Sequence, residues 1–297
     1  MTPLINGKRK MVVTYVPHGI NTDIYKPATV PDEFRKEILG NKEYDFILYW
    51  SNRNIRRKQP SDVIYAFKLF CDAIGKENAD KVCLLMHTQP VDENGTDLPA
   101  VIKAVAPDCN IVFSDKRRDA VQLNFLYNMA DVTINIANNE GFGLTTAESI
   151  MAGTPIIVNV TGGLQDQCGF TVNGKLLTAD DYIEIGSLHN WRKWKDTVQW
   201  GDWVIPIWPK AQSLAGSIPT PYIWDDRVDI VEVTDAILEM YNLPQPERKA
   251  NGLKGRKAFI GELGLSSENM CKTMMDGIDN AISNWTPRKR YELFQIR

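Results

Sequence analysis

The chain has 297 residues, of which 43% are hydrophobic and 24% are charged, and its net charge is −3. A disordered chain would carry fewer apolar residues and more net charge, so this composition indicates an ordinary globular protein. The acidic balance argues against nucleic acid as a partner, because nucleic-acid-binding domains are usually basic.

No run of residues approaches the roughly 18 consecutive apolar positions that a membrane-spanning helix needs. The first ten residues are also too polar for the apolar core of a signal peptide. We therefore predict a cytoplasmic protein without a membrane span. The five cysteines are scattered and form no CxxC pair, which indicates neither a disulfide framework nor a zinc site.

Short apolar runs rich in β-branched residues alternate with amphipathic segments over the first 160 residues. The runs predict strands at 11–16, 45–50, 81–86, 110–113, 131–136 and 155–160. The intervening segments have helical spacing and predict helices at 61–74, with Ser61 as the N-cap, and at 98–105, 120–129 and 145–151. This alternation predicts an α/β fold in which a Rossmann-like parallel sheet is sandwiched by helices.

The alternation fades after Gly163, and six of the eight tryptophans fall between residues 168 and 226. We interpret 168–226 as a Trp-rich insertion with a small aromatic core of its own and a strand at 202–207. The alternative is a set of aromatic faces that binds a carbohydrate or an acceptor. C-terminal helices are predicted at 229–241, 246–262 and 266–285, the last amphipathic through Met270, Met274, Ile278 and Ile282.

The strongest functional signal is the string NEGFGLTTAE at 139–148, which joins the predicted strand 131–136 to a helix. Glycines in such a turn let backbone amides approach a ligand closely, and the start of a helix adds free N–H donors. This arrangement favours binding of a diphosphate. The residues expected to bind the nucleotide here are Gly141, Phe142, Gly143, Leu144 and Thr145.

Two acidic residues flank this turn. Glu140 precedes it, where a sugar attached to the diphosphate would lie, and a carboxylate there could hold sugar hydroxyls or steady positive charge on the anomeric carbon. Glu148 lies one turn inside the helix and can accept hydrogen bonds from ribose hydroxyls. The alternative is a helix cap with two surface glutamates.

Arg53 and Lys58 follow the predicted strand 45–50, so they lie at the carboxyl end of a parallel sheet, where ligands bind in such folds. Their charges would stabilise a departing diphosphate. No Asp-x-Asp pair is present to hold a divalent cation, and we predict no metal. The adjacent Arg56 and Arg57 are interpreted as surface residues.

The nucleotide base is expected near the end of the predicted strand 110–113, where Phe113 or Ser114 could contact it. His18 and His87 also fall near strand ends. We interpret His87 as a structural histidine, since a satisfied histidine is more common than a ligand, and the alternative is a ligand contact.

The string at 139–148 resembles the paired-glutamate motif of the retaining GT-B glycosyltransferases, a family that includes glycogen synthase and many α-mannosyltransferases. Three other segments resemble that family in order and spacing. VPHGINTD at 16–23 is similar to its interdomain linker, Arg53 and Lys58 are similar to its donor-diphosphate cations, and Thr161-Gly162-Gly163 is similar to its glycine turn.

The resemblance implies one donor-binding domain over 1–297, with its core at 11–165 and 229–285, and with the N-terminal acceptor domain apparently absent. It implies metal-independent, retaining hexose transfer from a UDP- or GDP-sugar to an unknown acceptor, without a cofactor. Glu140, Arg53 and Lys58 would carry the catalysis, and a partner domain or chain could supply the acceptor site. The alternative is a nucleotide-sugar-binding module without independent activity.

Overall fold

A computed structural model describes residues 4–5, 9–10, 15–177, 181 and 193–285 of the chain. The predicted strand at 11–16 lies largely outside these residues, and its last two, Tyr15 and Val16, are not in a strand. Near the N-terminus, β1 (Leu4–Ile5) and β2 (Arg9–Lys10) form a short antiparallel pair.

Ten further strands follow. They are β3 (Phe46–Ser51), β4 (Val82–His87), β5 (Ile111–Ser114), β6 (Val132–Asn135), β7 (Ile156–Asn159), β8 (Thr171–Val172), β9 (Lys175–Leu176), β10 (Val204–Ile207), β11 (Ala211–Ser217) and β12 (Thr220–Arg227). Six of them form one parallel sheet in the order β10-β7-β6-β3-β4-β5. The predicted parallel sheet is confirmed, and its central strands are buried along their length because helices cover both faces.

The helices are α1 (Asp32–Leu39), α2 (Pro60–Ile74), α3 (Lys76–Ala79), α4 (Leu98–Val105), α5 (Ala120–Met129), α6 (Leu144–Met151), α7 (Ile230–Asn242), α8 (Gln245–Ile260) and α9 (Ser267–Ser283). The predicted bounds agree within two residues, whereas α1 and α3 were not predicted. Ser61 is not the N-cap of α2. Gln59 takes that position with a φ of 52°, and Pro60 occupies the first turn, where its missing N–H costs no hydrogen bond.

The strand order places a topological switch point between β3 and β6. From β3 the chain moves outward through β4 to β5, and it then returns to the other side of β3 to form β6, β7 and β10. Loops that leave neighbouring strands in opposite directions open a crevice at the carboxyl edge of the sheet. The segments after β3 and after β6 therefore flank this crevice.

The sheet separates two hydrophobic clusters, one on each face. Trp203 belongs to the first cluster, and Trp194 and Trp208 pack against it. The prediction of a separate aromatic core in 168–226 is therefore wrong for these residues, and the same stretch supplies β10, the edge strand beside β7. Trp191 lies outside the described residues.

The last helix differs from the other long helices in its burial. None of the residues of α9 is buried, and Met274, Ile278 and Ile282 of its predicted apolar face are exposed. Among the described residues, no helix is both long and apolar enough to cross a membrane.

A buried ion pair fixes the amino edge of the sheet. The guanidinium of Arg248 donates to Asp131, just before β6, at 2.8 Å and to the carbonyl oxygens of Met240 and Leu243 at the end of α7. Asp131 also accepts the backbone N–H of Ile47 at 2.9 Å. One side chain thus ties α8 and the carboxyl end of α7, where a cation is favoured, to the sheet.

We expect Arg248→Met to lower the free energy of unfolding by about 3–5 kcal/mol, because it leaves the Asp131 carboxylate buried without its partner. Urea denaturation measures the change. Lys249→Met, at the neighbouring exposed position, is the matched control and should cost less than about 0.5 kcal/mol. Equal losses in the two variants would contradict the structural role of Arg248.

Candidate functional site

The crevice at the switch point is bordered by two loops. One follows β3 and includes a 3-10 turn at Arg56–Lys58. The other runs from β6 to the start of α6 and contains Glu140. The two loops are hydrogen-bonded to each other, since the backbone N–H of Asn138 donates to the carbonyl of Arg57 at 2.8 Å.

Lys58, which is buried, and Glu140, which is partly buried, meet across the crevice as an ion pair. Arg57 reinforces this pair, because its guanidinium donates to the carbonyl of Asn139 at 2.8 Å and lies 3.6 Å from the Glu140 carboxylate. Arg57 is still a surface residue, since its side chain is 40% exposed, but it contacts the loop that bears Glu140. Burial and the charge of Arg57 lower the pKa of Lys58, while the Glu140 carboxylate favours the ammonium form.

A glycine turn supports the loop that bears Glu140. The backbone N–H of Gly163 donates to the Glu140 carbonyl at 3.1 Å. A Cβ on Gly162, whose φ is 48°, would lie 1.9 Å from the same carbonyl oxygen, and a Cβ on Gly163 would lie 2.5 Å from that of Gly141. Only glycine permits this contact, which gives a physical reason for the Gly-Gly pair.

The start of α6 keeps its backbone donors without a side-chain cap. Gly143 is the N-cap with a φ of 88°, and no side chain bonds the first N–H groups. Leu144 is exposed and Gly141 has open space around it. Helix-start N–H groups of this kind attract anions.

Phe142 contributes differently from the glycines around it. Its ring is buried in the core and lies 5.1 Å from the imidazole of His18. Its carbonyl accepts a hydrogen bond from the Gln167 amide at 2.6 Å. Phe142 therefore holds the turn in place, and only its backbone remains available to a ligand.

Glu148 points into a cluster of tyrosines. Tyr127 donates its hydroxyl to the Glu148 carboxylate at 2.7 Å, and the Tyr25 hydroxyl lies near the same carboxylate. Burial raises the pKa of Glu148, and the two hydroxyls partly offset the increase. The two tyrosines orient the carboxylate.

Arg53 lies apart from the Lys58–Glu140 pair. Its side chain is 64% exposed and donates to Asp92 at 2.9 Å. Arg53 and Thr145 line a cavity of about 430 Å³ together with His87 and Ser114, whereas Lys58, Glu140 and Glu148 are not among the residues that line it.

Phe113, the other residue proposed to contact the base, packs against the second hydrophobic cluster. The neighbouring Ser114 hydroxyl faces His87 Nδ1 at 3.1 Å. Burial lowers the pKa of His87. At this strand end, the described structure therefore offers Ser114 rather than the Phe113 ring to the cavity.

Sequence reasoning missed the contact between this site and the hairpin formed by β11 and β12. Asp225 accepts hydrogen bonds from the side chains of Asn138 and Asn139, at 3.3 and 2.6 Å. Asp226 accepts from Thr161 at 2.7 Å. These contacts join positions more than 60 residues apart, and no local spacing in the sequence indicates them.

The roles of Arg57, Tyr25 and Tyr127 were also missed. The signal that the sequence offered for Arg57 was its position next to Lys58. Of the residues that the structure describes, no three His, Cys, Asp or Glu side chains cluster in a way that could hold a metal ion.

Comparison with known proteins connects this geometry to a family. The family model described as "Glycosyl transferases group 1" matches residues 31–186. A D-inositol 3-phosphate glycosyltransferase from Thermobispora bispora is 27% identical over 172 residues, which are 57% of this chain and 39% of that protein. The chain thus spans well under half the length of this curated relative.

Solved structures share the fold at lower identity. Sucrose-phosphate synthase from Thermosynechococcus elongatus is 17% identical with a TM-score of 0.60, over 90% of this chain and 52% of that one. Anabaena HepE in complex with UDP-glucose is 13% identical with a TM-score of 0.57, over 89% of this chain and 57% of that one. The C-terminal domain of LpcC from Francisella tularensis is 14% identical with a TM-score of 0.51, over 82% of this chain and 97% of that one.

Burial raises the pKa of Glu148 above its ordinary 4.5. The Glu148 carboxyl group therefore keeps its proton to a higher pH in the folded protein than in the unfolded chain. The stability of the protein thus falls as the pH rises from 4.5 through the folded-state pKa. We expect Glu148→Gln to be more stable than the wild type at neutral pH and to lose this advantage in acid. Urea unfolding at about pH 4 and about pH 8 measures the difference.

Glu77→Gln, at an exposed glutamate, is the control for this comparison and should follow the wild type at both pH values. If the free energy of unfolding of Glu148→Gln changes with pH as that of the wild type does, the Glu148 carboxylate does not destabilise the folded protein.

Proposed function

The chain belongs to the group 1 glycosyl transferases, and we propose that it forms the donor-binding part of an enzyme that transfers a hexose from a nucleotide-diphosphate sugar to an acceptor. The observation that carries this proposal is the meeting of Lys58 and Glu140 beside the uncapped start of α6, at the switch point of the sheet. HepE was solved with UDP-glucose, which makes a UDP-sugar the first donor to test.

The diphosphate is proposed to lie over the start of α6. Backbone N–H groups of Gly143, Leu144 and Thr145 would donate to its oxygens. Lys58 supplies a buried positive charge nearby, and Arg53 lines the adjoining cavity. A fixed charge in a water-poor site stabilises the negative charge that develops on a leaving diphosphate, which lowers the barrier to sugar transfer.

The two glutamates are proposed to bind the two sugars of the donor. Glu140 holds hydroxyls of the transferred hexose, and its contact with Lys58 keeps the carboxylate in place. Glu148 binds the ribose hydroxyls. For it, Tyr127 and Tyr25 act as positioning residues, since their hydrogen bonds fix the carboxylate that the ribose would contact.

We further propose that transfer retains the anomeric configuration and requires no divalent metal. The family resemblance supports retention, in which a donor phosphate oxygen takes the acceptor proton on the front face. The two cations and the helix start support metal independence, because they could balance the diphosphate charge. The acceptor site is proposed to lie in a partner domain or chain, given the part of the relatives that this chain spans.

Lys58→Met should reduce release of glucose from UDP-glucose by roughly 100-fold or more, because it removes a charge next to the leaving group. Lys68→Met is the matched control, since Lys68 lies on α2 and pairs with Asp72 away from the crevice. It should leave the rate unchanged. Initial rates of glucose release by the purified chain measure the effect.

Thermal shifts with UDP-glucose, GDP-mannose and ADP-glucose identify the nucleotide, because a ligand that binds only the folded state raises the apparent stability. Repeating the assay with EDTA tests metal independence, and the anomer first released, followed by proton NMR, tests retention. Binding without release would favour the module without independent activity. Absence of binding to all three donors would contradict the proposed function.

A further inference from the structure

The hairpin of β11 and β12 has an unusual surface composition. From Ala211 to Trp224 it contains no acidic or basic residue. Residues 216–224 are all exposed. Ile218 at the tip is 99% exposed, and the strands expose Tyr222 at 72% and Trp224 at 57%. A contiguous exposed apolar surface of this kind marks an interaction site.

The apolar residues are arranged by strand geometry. Tyr222 and Trp224 are two residues apart on β12 and so share one face of the hairpin. Leu214 lies directly opposite Trp224 in the register, and it is also exposed. In the described part of the chain β11 and β12 pair only with each other, and an isolated two-stranded hairpin is marginal in water. An apolar environment would stabilise it.

Two arginines lie at the base of the hairpin. Arg227 ends β12 and, with Arg56, lines a cavity of about 280 Å³ beside the start of α2. Lys210 lies just before β11 and pairs with Glu232, and Asp62 is close to Arg227. The acidic residues of the hairpin face inward, because Asp225 and Asp226 bond the asparagines and Thr161 of the adjacent loops.

We propose that this hairpin attaches the protein to the surface of an anionic lipid bilayer. Ile218 at the tip enters the acyl-chain boundary. Leu214, Tyr222 and Trp224 lie at the headgroup level, which aromatic side chains prefer, and Arg56 and Arg227 contact lipid phosphates. A carbohydrate would use the aromatic faces but would leave the aliphatic tip in water. This inference does not depend on the proposed donor chemistry.

Co-sedimentation with vesicles tests the attachment. The full chain should bind vesicles of phosphatidylcholine mixed with phosphatidylglycerol, and more weakly those of phosphatidylcholine alone. Ile218→Ser should reduce binding to both. Val121→Ser, at an exposed apolar position at the start of α5, is the matched control and should bind like the wild type.

The arginines should act only through the anionic lipid. Arg227→Ala and Arg56→Ala should each lower the partition coefficient on the mixed vesicles by about fivefold and should have little effect on phosphatidylcholine alone. Raising the salt concentration should weaken the wild type toward the variants, because screening acts on the charge contacts.

Insertion is measured by a polarity-sensitive fluorophore attached at Ile218→Cys in a Cys271→Ser background, since Cys271 is the exposed native cysteine among the described residues. Its emission should shift to shorter wavelength with the mixed vesicles, whereas a label at Val121→Cys should not shift. Circular dichroism of each variant verifies folding.

Vesicle binding that is absent, or that Ile218→Ser leaves unchanged, would overturn the proposal. So would a dimer in solution that Ile218→Ser dissociates, because the apolar face would then be covered by a second copy. Failure of donor binding with intact vesicle binding would contradict the proposed function alone.

Discussion

The close contact between two backbones at the carboxyl edge of the sheet holds the candidate site together. The turn at Gly162 and Gly163 lies so near the carbonyls of Glu140 and Gly141 that no side chain could be accommodated between them. The backbone of this turn therefore fixes the position of the loop after β6. Since the same loop carries Glu140 toward Lys58 and leads into α6, the position of every other group in the crevice depends on this contact.

The site concentrates charges that are costly to bury. Lys58 and Glu140 compensate each other, whereas the Glu148 carboxylate lies against tyrosine hydroxyls, and burial raises its pKa despite these contacts. A fold selected for stability alone would favour an uncharged residue at that position. At the opposite edge of the sheet, Arg248 and Asp131 form a buried pair that ties helices to strands.

The fold was predictable because hydrophobic periodicity is a local property. Strand alternation, the helix at 98–105 and the string at 139–148 could all be read from neighbouring residues. Ser61 was misassigned because the left-handed conformation of Gln59 depends on how the loop after β3 folds back. The partners of Arg57 and Glu148, and the packing of Trp203 into the main core, depend on contacts across the chain that no spacing encodes.

The hydrogen bond from Asn139 to Asp225 has a thermodynamic consequence. It joins the base of the hairpin to the residue next to Glu140. If an occupant of the hairpin changes the affinity of the crevice for its ligand, that ligand must change the affinity of the hairpin by the same factor. Occupancy at either place would then report on the other.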